Sequence, residues 1–276
     1  IILLGPPGEK FVWNYTALPL MEVRVGCCGW CVRGGKNAYY SRFSIIEVQE
    51  TFYKLPRPET VAKWAWNAPE NFRFCMKAWQ VVTHPPSSPT WKRSGLKTPK
   101  SRQDRYGFLR PTEENFRAWE ETLEVCRAMR AEVCILQTPA SFGYSEENVK
   151  DVEAFFSAIR RDSVILGWEP RGTWRDNLQA VGRLCDKLDL VHVVDPFRCQ
   201  PQSSHQLVYF RLHGIGGKEY NYRYRYTDSD LRRLAELVEK YLKEGRRAYI
   251  LFNNVYMADD AARFIEVLRG LGLPVI

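Results

Sequence analysis

The sequence predicts a single-domain α/β protein, a TIM-like (β/α)8 barrel with a long basic loop after its third strand. Short apolar runs alternate with longer amphipathic segments eight times in about 250 residues. The apolar runs are continuous, as expected for parallel strands buried on both faces. With 45% hydrophobic residues in 276 positions, the chain can also fill a large core. An open, doubly wound sheet is the alternative fold.

The strands are predicted, in order, at 22–27, 44–49, 72–78, 133–137, 163–169, 190–195, 207–213 and 247–253. Between them, helical patterns lie at 38–43, 58–67, 112–130, 146–161, 174–187 and 228–244, with a short or irregular piece at 199–205 and a last helix at 259–271. Capping residues support these boundaries, since Pro58, Thr112 and Ser145 stand at helix starts.

Residues 1–20 are predicted to be an N-terminal extension, and residues 21–276 the barrel domain. The first stretch is rich in Gly and Pro, whereas a regular strand pattern begins directly after Met21. No run reaches the roughly 18 apolar residues that span a bilayer. We therefore expect a protein of the cytoplasm with no membrane partner.

The net charge of +8 and the isoelectric point near 9.1 favour an anionic partner, such as DNA, RNA, a nucleotide or a sugar phosphate. A diffuse positive surface without such a partner is the alternative. The sequence leaves the oligomeric state open.

Polar residues recur at the carboxyl ends of the predicted strands, where the functional face of a barrel is built. Glu47, Glu169, Asp195 and His213 are the catalytic candidates, either as ligands of a divalent metal or as metal-free acids and bases. The three carboxylates could instead pair with Lys77, Arg171 and Arg211 without any metal. The substrate-binding candidates from these strand ends and the loops after them are Gln49, Lys77, His84, Gln137, Arg171, Arg211, Tyr220, Tyr222 and Asn253.

The stretch Leu207 to Gly214 is the most informative of these strands. Its alternation places Tyr209, Arg211 and His213 on one face of a buried strand. Burial of such groups without partners costs roughly 2 to 7 kcal/mol even for a neutral polar group. Carboxylates from other strands or an anionic ligand must therefore face them.

The loop from His84 to Arg110 is basic and aromatic, and it follows the third strand. Its candidates for nucleic-acid binding are Lys92, Arg93, Lys97 and Lys100, because cations and interleaved rings suit phosphates and stacked bases. A disordered, solvated loop is the alternative. A second segment, 218–226, interleaves tyrosines and arginines directly after His213.

Cysteines cluster near the end of the first strand. Cys27, Cys28 and Cys31 could meet Cys75 and Cys199 on one face of the barrel and hold a metal or an iron–sulfur cluster. A disulfide, a redox-active pair and buried small residues are the competing interpretations. Cys126, Cys134 and Cys185 are predicted to be core residues.

Several short motifs, in their order and spacing, resemble the YecE-like family, also called domain of unknown function 72. They span about residues 22–265 and comprise Gly29-Trp30, Ile46 to Pro56, Phe74 to Ala78 with Thr83-His84, Gln137-Thr138-Pro139, Glu169-Pro170-Arg171 with Trp174, Val194-Asp195, Phe210 to Gly214, Tyr220-Asn221-Tyr222 and Phe252-Asn253-Asn254. The resemblance implies a (β/α)8 barrel but no established reaction, and it adds Trp174 and Asn254 to the substrate-binding candidates.

This sequence departs from the family pattern at two places. Cys27 and Cys28 stand where the family usually has a small or hydroxyl residue, and Gln49 replaces the usual Asn. At the level of the fold only, the chain also resembles metal-dependent barrel nucleases that act at damaged DNA sites.

The preferred functional hypothesis is a phosphoester hydrolase or lyase that acts on nucleic acid or a nucleotide at the barrel mouth. A non-catalytic protein that binds nucleic acid or assists repair is the second hypothesis. An iron–sulfur or redox protein that uses Cys27, Cys28 and Cys31 is the third.

Overall fold

Eight parallel strands close into a barrel in the computed structural model, which describes residues 22–217 and 220–276. Each strand pairs with the next along the chain, and the last pairs with the first. This closure confirms the (β/α)8 barrel and excludes the open sheet. The strands are β1 (Val23–Cys27), β2 (Ile45–Val48), β3 (Arg73–Lys77), β4 (Ala131–Gln137), β5 (Ile165–Glu169), β6 (Val191–Val194), β7 (Leu207–Leu212) and β8 (Arg247–Phe252).

The helices surround the barrel. They are α1 (Gly35–Tyr40), α2 (Glu50–Tyr53), α3 (Pro58–Asn67), α4 (Gln80–Thr83), α5 (Glu113–Met129), α6 (Glu146–Ala158), α7 (Leu178–Lys187), α8 (Asp228–Lys243) and α9 (Met257–Gly270). Short 3-10 helices cover Trp91–Ser94, Lys100–Arg105 and Gly172–Asp176.

The helices differ from the sequence prediction where periodicity carries little information. Helices α2 and α4 have four residues each, too few to show an amphipathic repeat. Helix α1 begins at Gly35, ahead of the predicted start, because glycine is a poor helix former and hides the boundary. The piece predicted at 199–205 forms no helix in the described chain, so β6 and β7 are joined by an irregular segment.

Side-chain caps begin three of the long helices. Thr112 and Ser145 accept hydrogen bonds from backbone N–H groups three residues on, at 3.4 and 3.1 Å. Thr227 and Asp230 form a reciprocal capping box at the start of α8. These caps satisfy backbone donors that the first helical turn leaves without a partner.

The barrel interior is filled by three layers of different chemistry. At the amino ends of the strands, Arg247 pairs with Glu132 and Glu22 at 3.0 and 3.3 Å, and Tyr249 donates to Glu132 at 2.8 Å. The middle layer is apolar and contains Ile45, Val133, Ile135, Val191, Val193, Leu207 and Leu251. The layer at the carboxyl ends is polar and contains Glu47, Lys77, Glu169 and Arg211.

Strands β1 and β2 approach each other closely at Gly26. A Cβ atom at this position would lie 2.0 Å from the carbonyl oxygen of Ile45. Only glycine therefore permits the two strands to lie this close together.

The basic loop after β3 is folded against the barrel. Trp91 is buried, and its ring packs edge-on against Tyr106 with the centroids 5.8 Å apart. The Asn115 side chain holds the end of the loop, since it accepts from the Gly107 N–H and donates to the Gly107 carbonyl, at 3.0 and 2.9 Å. The alternative of a disordered loop is therefore not what the structure shows.

The predicted N-terminal extension, residues 1–20, lies outside the described residues. In the part of the chain that is described, no helix combines the length and the apolar character that a membrane crossing requires.

Candidate functional site at the carboxyl end of the barrel

Arg211 and Glu47 form a buried ion pair at the centre of the polar layer. Nε and Nη2 of Arg211 lie 3.0 and 2.9 Å from the two carboxylate oxygens of Glu47. Tyr209 and Gln49 donate to the same carboxylate, with 2.9 Å from the Tyr209 hydroxyl. Both oxygens of Glu47 are therefore occupied by protein donors.

Glu169 joins two arginines. Nη1 of Arg211 binds one of its oxygens, while Nε and Nη2 of Arg171 bind the other at 3.1 and 2.8 Å. Burial alone would raise the pKa of Glu169, but the charges of Arg211 and Arg171 outweigh it and hold the pKa well below its usual value. Glu169 is therefore a permanent anion at neutral pH.

Arg211 is a substrate-binding candidate, but all three nitrogens of its buried guanidinium bind Glu47 or Glu169. Burial of this arginine without partners would be costly, and the two carboxylates are the partners that the sequence analysis expected. Arg211 therefore holds the carboxylates of Glu47 and Glu169 in place.

Lys77 lies at the end of β3, beside this network. Its Nζ donates to Oε1 of Gln137 at 3.1 Å and lies 3.9 Å from the centroid of the Phe52 ring. Burial, together with the nearby charge of Arg211, lowers the pKa of Lys77 to about 7. A substantial part of this lysine is therefore an uncharged amine near neutral pH.

His213 and Asp195 form a second polar unit at the rim. Oδ2 of Asp195 accepts from the His213 backbone N–H at 3.0 Å and lies 3.8 Å from Nδ1 of the ring. Burial lowers the pKa of His213, against the opposing effect of Asp195. Nε2 of His213 is buried and has no hydrogen-bond partner among the described residues.

The segment after β7 folds over this end of the barrel. Tyr220 packs against His213 and Tyr222, with ring centroids 5.2 and 5.4 Å apart, and the Arg171 guanidinium lies 4.6 Å from its ring. The chain turns at Gly214, whose φ of 86° favours glycine. We call residues 214–226 the β7 lid, with residues 218 and 219 outside the described chain.

A cavity of about 40 Å³ lies beneath the β7 lid. This volume has room for a few water molecules, so the described conformation admits a small chemical group. Its lining includes Glu169, Trp174, His192, Asp195, Arg198, His213 and Tyr220.

Several predicted binding residues serve to support the site. Trp174 is buried and donates from Nε1 to the Phe142 carbonyl at 2.8 Å, while its ring lines the cavity. Asn254 donates from Nδ2 to the Tyr224 carbonyl and to Asp260, at 2.8 and 2.7 Å, so it braces the β7 lid. Asn253 is half-buried after β8, and its backbone N–H donates to the Leu212 carbonyl at 2.8 Å.

His84 lies near Lys77 at the wall of the site. Its Nδ1 is 2.8 Å from the Thr83 hydroxyl, and its ring packs edge-on against Phe52. Burial, with the charges of Lys77 and Arg171, lowers the pKa of His84 to about 3. His84 is therefore neutral at physiological pH.

The structure does not bring the five candidate cysteine ligands together. Cys27 faces the helices and shares a hydrogen bond with Cys31, whereas Cys28 and Cys75 point into the barrel because side chains alternate along a strand. Cys199 lies apart, on the segment after β6, and donates to the Gln200 carbonyl at 3.2 Å. The described residues contain no group of three or more His, Cys, Asp or Glu placed to hold a metal ion.

All eight cysteines are free thiols, so this structure contains no disulfide between them. Cys126, Cys134 and Cys185 are buried, as predicted for core residues.

The four basic residues of the loop after β3 lie on the surface, away from the cavity. Lys92, Arg93, Lys97 and Lys100 are all exposed. The Arg93 guanidinium stacks on Tyr53, 3.4 Å from the ring centroid. They form a separate cationic patch, which we call the basic patch.

Three residues near the site escaped the sequence reasoning. The strand alternation places Tyr209 on the correct face but does not show that it binds Glu47. His192 lines the cavity but does not stand at the end of a strand, so no sequence pattern singles it out. Arg198 donates to the Gly214 and Gly216 carbonyls at 3.1 and 2.8 Å, and no local motif signals this brace.

The family model described as "Protein of unknown function DUF72" matches residues 24–272. The chain belongs to this DUF72 family. YecE of Escherichia coli K12 is 37% identical over 46 residues, which are 17% of this chain and 17% of that relative.

Solved DUF72 proteins share the fold along almost their whole length. One from Enterococcus faecalis V583 has a TM-score of 0.70 and 21% identity, and the match covers 92% of this chain and 98% of that one. One from Thermotoga maritima MSB8 has a TM-score of 0.64 and 22% identity, with 90% and 99% covered. At these identities the solved structures establish the barrel and not an activity.

Proposed function

We propose that this DUF72 barrel is an enzyme, a hydrolase or lyase that cleaves a bond in a nucleotide or a related phosphorylated compound by acid–base catalysis. The observation that carries this proposal is the unpartnered Nε2 of His213, which is buried at the cavity beneath the β7 lid. A buried imidazole without a partner is costly in a purely structural role.

His213 has the properties of a general base. Asp195 lies on the Nδ1 side of the ring, and the lowered pKa keeps the imidazole neutral near pH 7. In the proposed reaction, Nε2 accepts a proton from water or from a substrate carbon and later returns it to the leaving group.

The cationic groups would hold the phosphate. Arg171 uses Nε and Nη2 on Glu169, which leaves its Nη1 for a phosphate oxygen. Glu47 and Glu169 position the arginines in this scheme. Their protein contacts leave them poorly suited to act as metal ligands themselves.

The test is a panel of nucleotides and sugar phosphates, with cleavage followed by phosphorus NMR. His213→Asn should lower kcat about 10²- to 10⁴-fold, the usual contribution of a general base. The acidic limb of the wild-type pH profile should have its midpoint below 6.5, because burial lowers this pKa.

His205→Asn is the matched control, since His205 is a partly buried histidine outside the cavity. Equal losses in both variants, or unchanged turnover in His213→Asn, would contradict the proposal.

A second candidate function is nucleic-acid binding through the basic patch. Lys92, Lys97 and Lys100 have no carboxylate within 4 Å in the ranges that the structure describes, so their charges are available to an anionic partner. Exposed cations beside the Trp91 and Tyr106 rings suit a phosphate backbone, although both rings are largely packed.

Replacement of Lys92, Arg93, Lys97 and Lys100 by Ala should weaken the binding of a single-stranded oligonucleotide. The slope of log K against log salt should fall by about 0.7 per lost phosphate contact. The control replaces four exposed cations that already pair with carboxylates, namely Arg117, Arg160, Lys187 and Lys243. Equal binding by the two variants would remove this candidate.

A further inference from the structure

Lys77 is the buried charged residue whose surroundings fit a structural role least well. It is at the carboxyl end of β3, and its Nζ has one hydrogen bond, to the neutral amide of Gln137 at 3.1 Å. Among the described residues it has no carboxylate partner within 4 Å. Buried lysines usually require such a partner, so this arrangement calls for another explanation.

Burial is the main cause that favours the neutral form of Lys77, and the charges around it oppose one another. Arg211 and Arg171 repel the ammonium, while Glu169 and Glu47 attract it but are themselves engaged by the two arginines. His84 adds no charge. A desolvated lysine beside other cations is the environment that activates an amine as a nucleophile.

Lys77 is also reachable from the barrel mouth. Lys77 retains 7% exposure, and Gln137, Glu169 and His84 retain 8% each. Glu47 and Arg211, by contrast, are 0% and 1% exposed. A small electrophilic group would therefore reach the amine of Lys77 before the buried ion pair.

We propose that Lys77 is a catalytic residue that forms an imine, and that the substrate class is a phosphorylated aldehyde or ketone. This inference rests on the proposed function and narrows it to a lyase-type reaction. The carbonyl carbon would bind Nζ, and Arg171 would hold the phosphate.

The proposed step is balanced without an oxidant or reductant. The Nζ lone pair attacks the carbonyl carbon, and one proton passes from Nζ to the carbonyl oxygen to give a carbinolamine. Nitrogen then expels that oxygen as water, with a second proton, and a protonated imine remains. The imine withdraws electrons from the neighbouring carbon, so His213 can remove a proton there and a bond can break beyond it.

Reductive trapping tests the inference independently of turnover. Wild-type protein is incubated near pH 7 with glyceraldehyde 3-phosphate and cyanoborohydride, and modified peptides are mapped by mass spectrometry. The shift from the ordinary pKa of 10.5 to about 7 raises the neutral fraction at pH 7 by a factor on the order of 10³. Trapping should therefore concentrate on Lys77 and should be weaker with unphosphorylated glyceraldehyde.

Lys77→Arg keeps a cation and removes the imine-forming amine, so trapping at the site should disappear. Lys36→Arg is the control, because Lys36 contacts the Trp30 and Trp64 rings away from the cavity. Labelling spread evenly over surface lysines would overturn the inference. If labelling were unspecific but the compounds of the panel were still cleaved in a His213-dependent manner, the proposed function would stand without the imine. If Lys77 were trapped but no compound were cleaved, the imine would stand and the proposed function would be contradicted.

Discussion

Single residues at the barrel mouth divide into fixed charges and titratable groups. Glu169 and Arg211 hold their charges because each neutralises the other in a buried pair. Lys77, His84 and His213 instead lose charge through burial. The site therefore contains a fixed ion pair, whose charges do not change near neutral pH, beside three groups that can lose their proton.

The free energy of unfolding should depend on pH because the amine of Lys77 is buried. Lys77 has a pKa of about 7 in the folded state and an ordinary value of 10.5. Between these pH values the unfolded chain carries a proton on Lys77 that the folded chain lacks, so the free energy of unfolding rises with pH. Above about pH 10.5 Lys77 is neutral in both states, so its burial carries no cost of deprotonation. As the pH falls to about 7, this cost grows and the free energy of unfolding decreases.

Lys77→Met removes this contribution, so the stability of wild type relative to Lys77→Met should increase from pH 7 to pH 10. The slope is at most about 1.4 kcal/mol per pH unit. Urea unfolding at several pH values measures it, and Lys36→Met serves as the control. A difference that does not change with pH would contradict the assignment.

How far the sequence predicts the site is also clearest at this scale. Alternation along the strand is enough to place Arg211 and His213 on one face, and burial demands a partner for Arg211. The sequence offers Glu47 and Glu169 as possible partners but cannot select them, because they lie 164 and 42 residues away and their distances to Arg211 depend on the closed barrel. The five candidate cysteines do not meet in the structure, because neighbours such as Cys27 and Cys28 point to opposite sides of a strand.

Among the elements, strands were predictable because a buried parallel strand is a continuous apolar run. The short helices and the β7 lid carry no such repeat, and tertiary contacts define them. Gly214 is the turning point of the lid: its φ is 86°, and a Cβ atom there would lie 2.1 Å from the Asn221 carbonyl oxygen.

Gly214→Ala should therefore loosen the β7 lid. Strain in the left-handed region costs about 1 to 2 kcal/mol, and the clash with Asn221 adds to it. We expect faster proteolytic cleavage within residues 214–226 and lower stability in urea. Gly245→Ala is the control, since its φ is 77° but no atom lies within 4 Å of the added Cβ. Equal effects of the two changes would show that the lid contact is unimportant.

At the scale of the whole molecule, the barrel is asymmetric along its axis. Ion pairs of Glu22, Glu132 and Arg247 occupy the end with the amino termini of the strands, and the cavity lies at the other end. The net charge of +8 favours the association of anionic compounds with the molecule as a whole.

Inorganic phosphate should bind at the mouth and stabilise the folded protein. At ten times its Kd, phosphate should add about 1.4 kcal/mol, which raises Tm by roughly 3 to 6 °C for a chain of this size. The comparison is with chloride at the same ionic strength. Arg171→Met should abolish the shift and Arg117→Met should retain it, whereas a shift that survives Arg171→Met would exclude this binding site.

The apolar middle layer and the ion pairs below it have a kinetic consequence. They fill the barrel interior below the cavity, so the described residues place the route into the site at the carboxyl end. Two compounds that entered this cavity one after the other would have to leave in the reverse order. In the proposed reaction, the products should therefore be released in a fixed order, past the β7 lid.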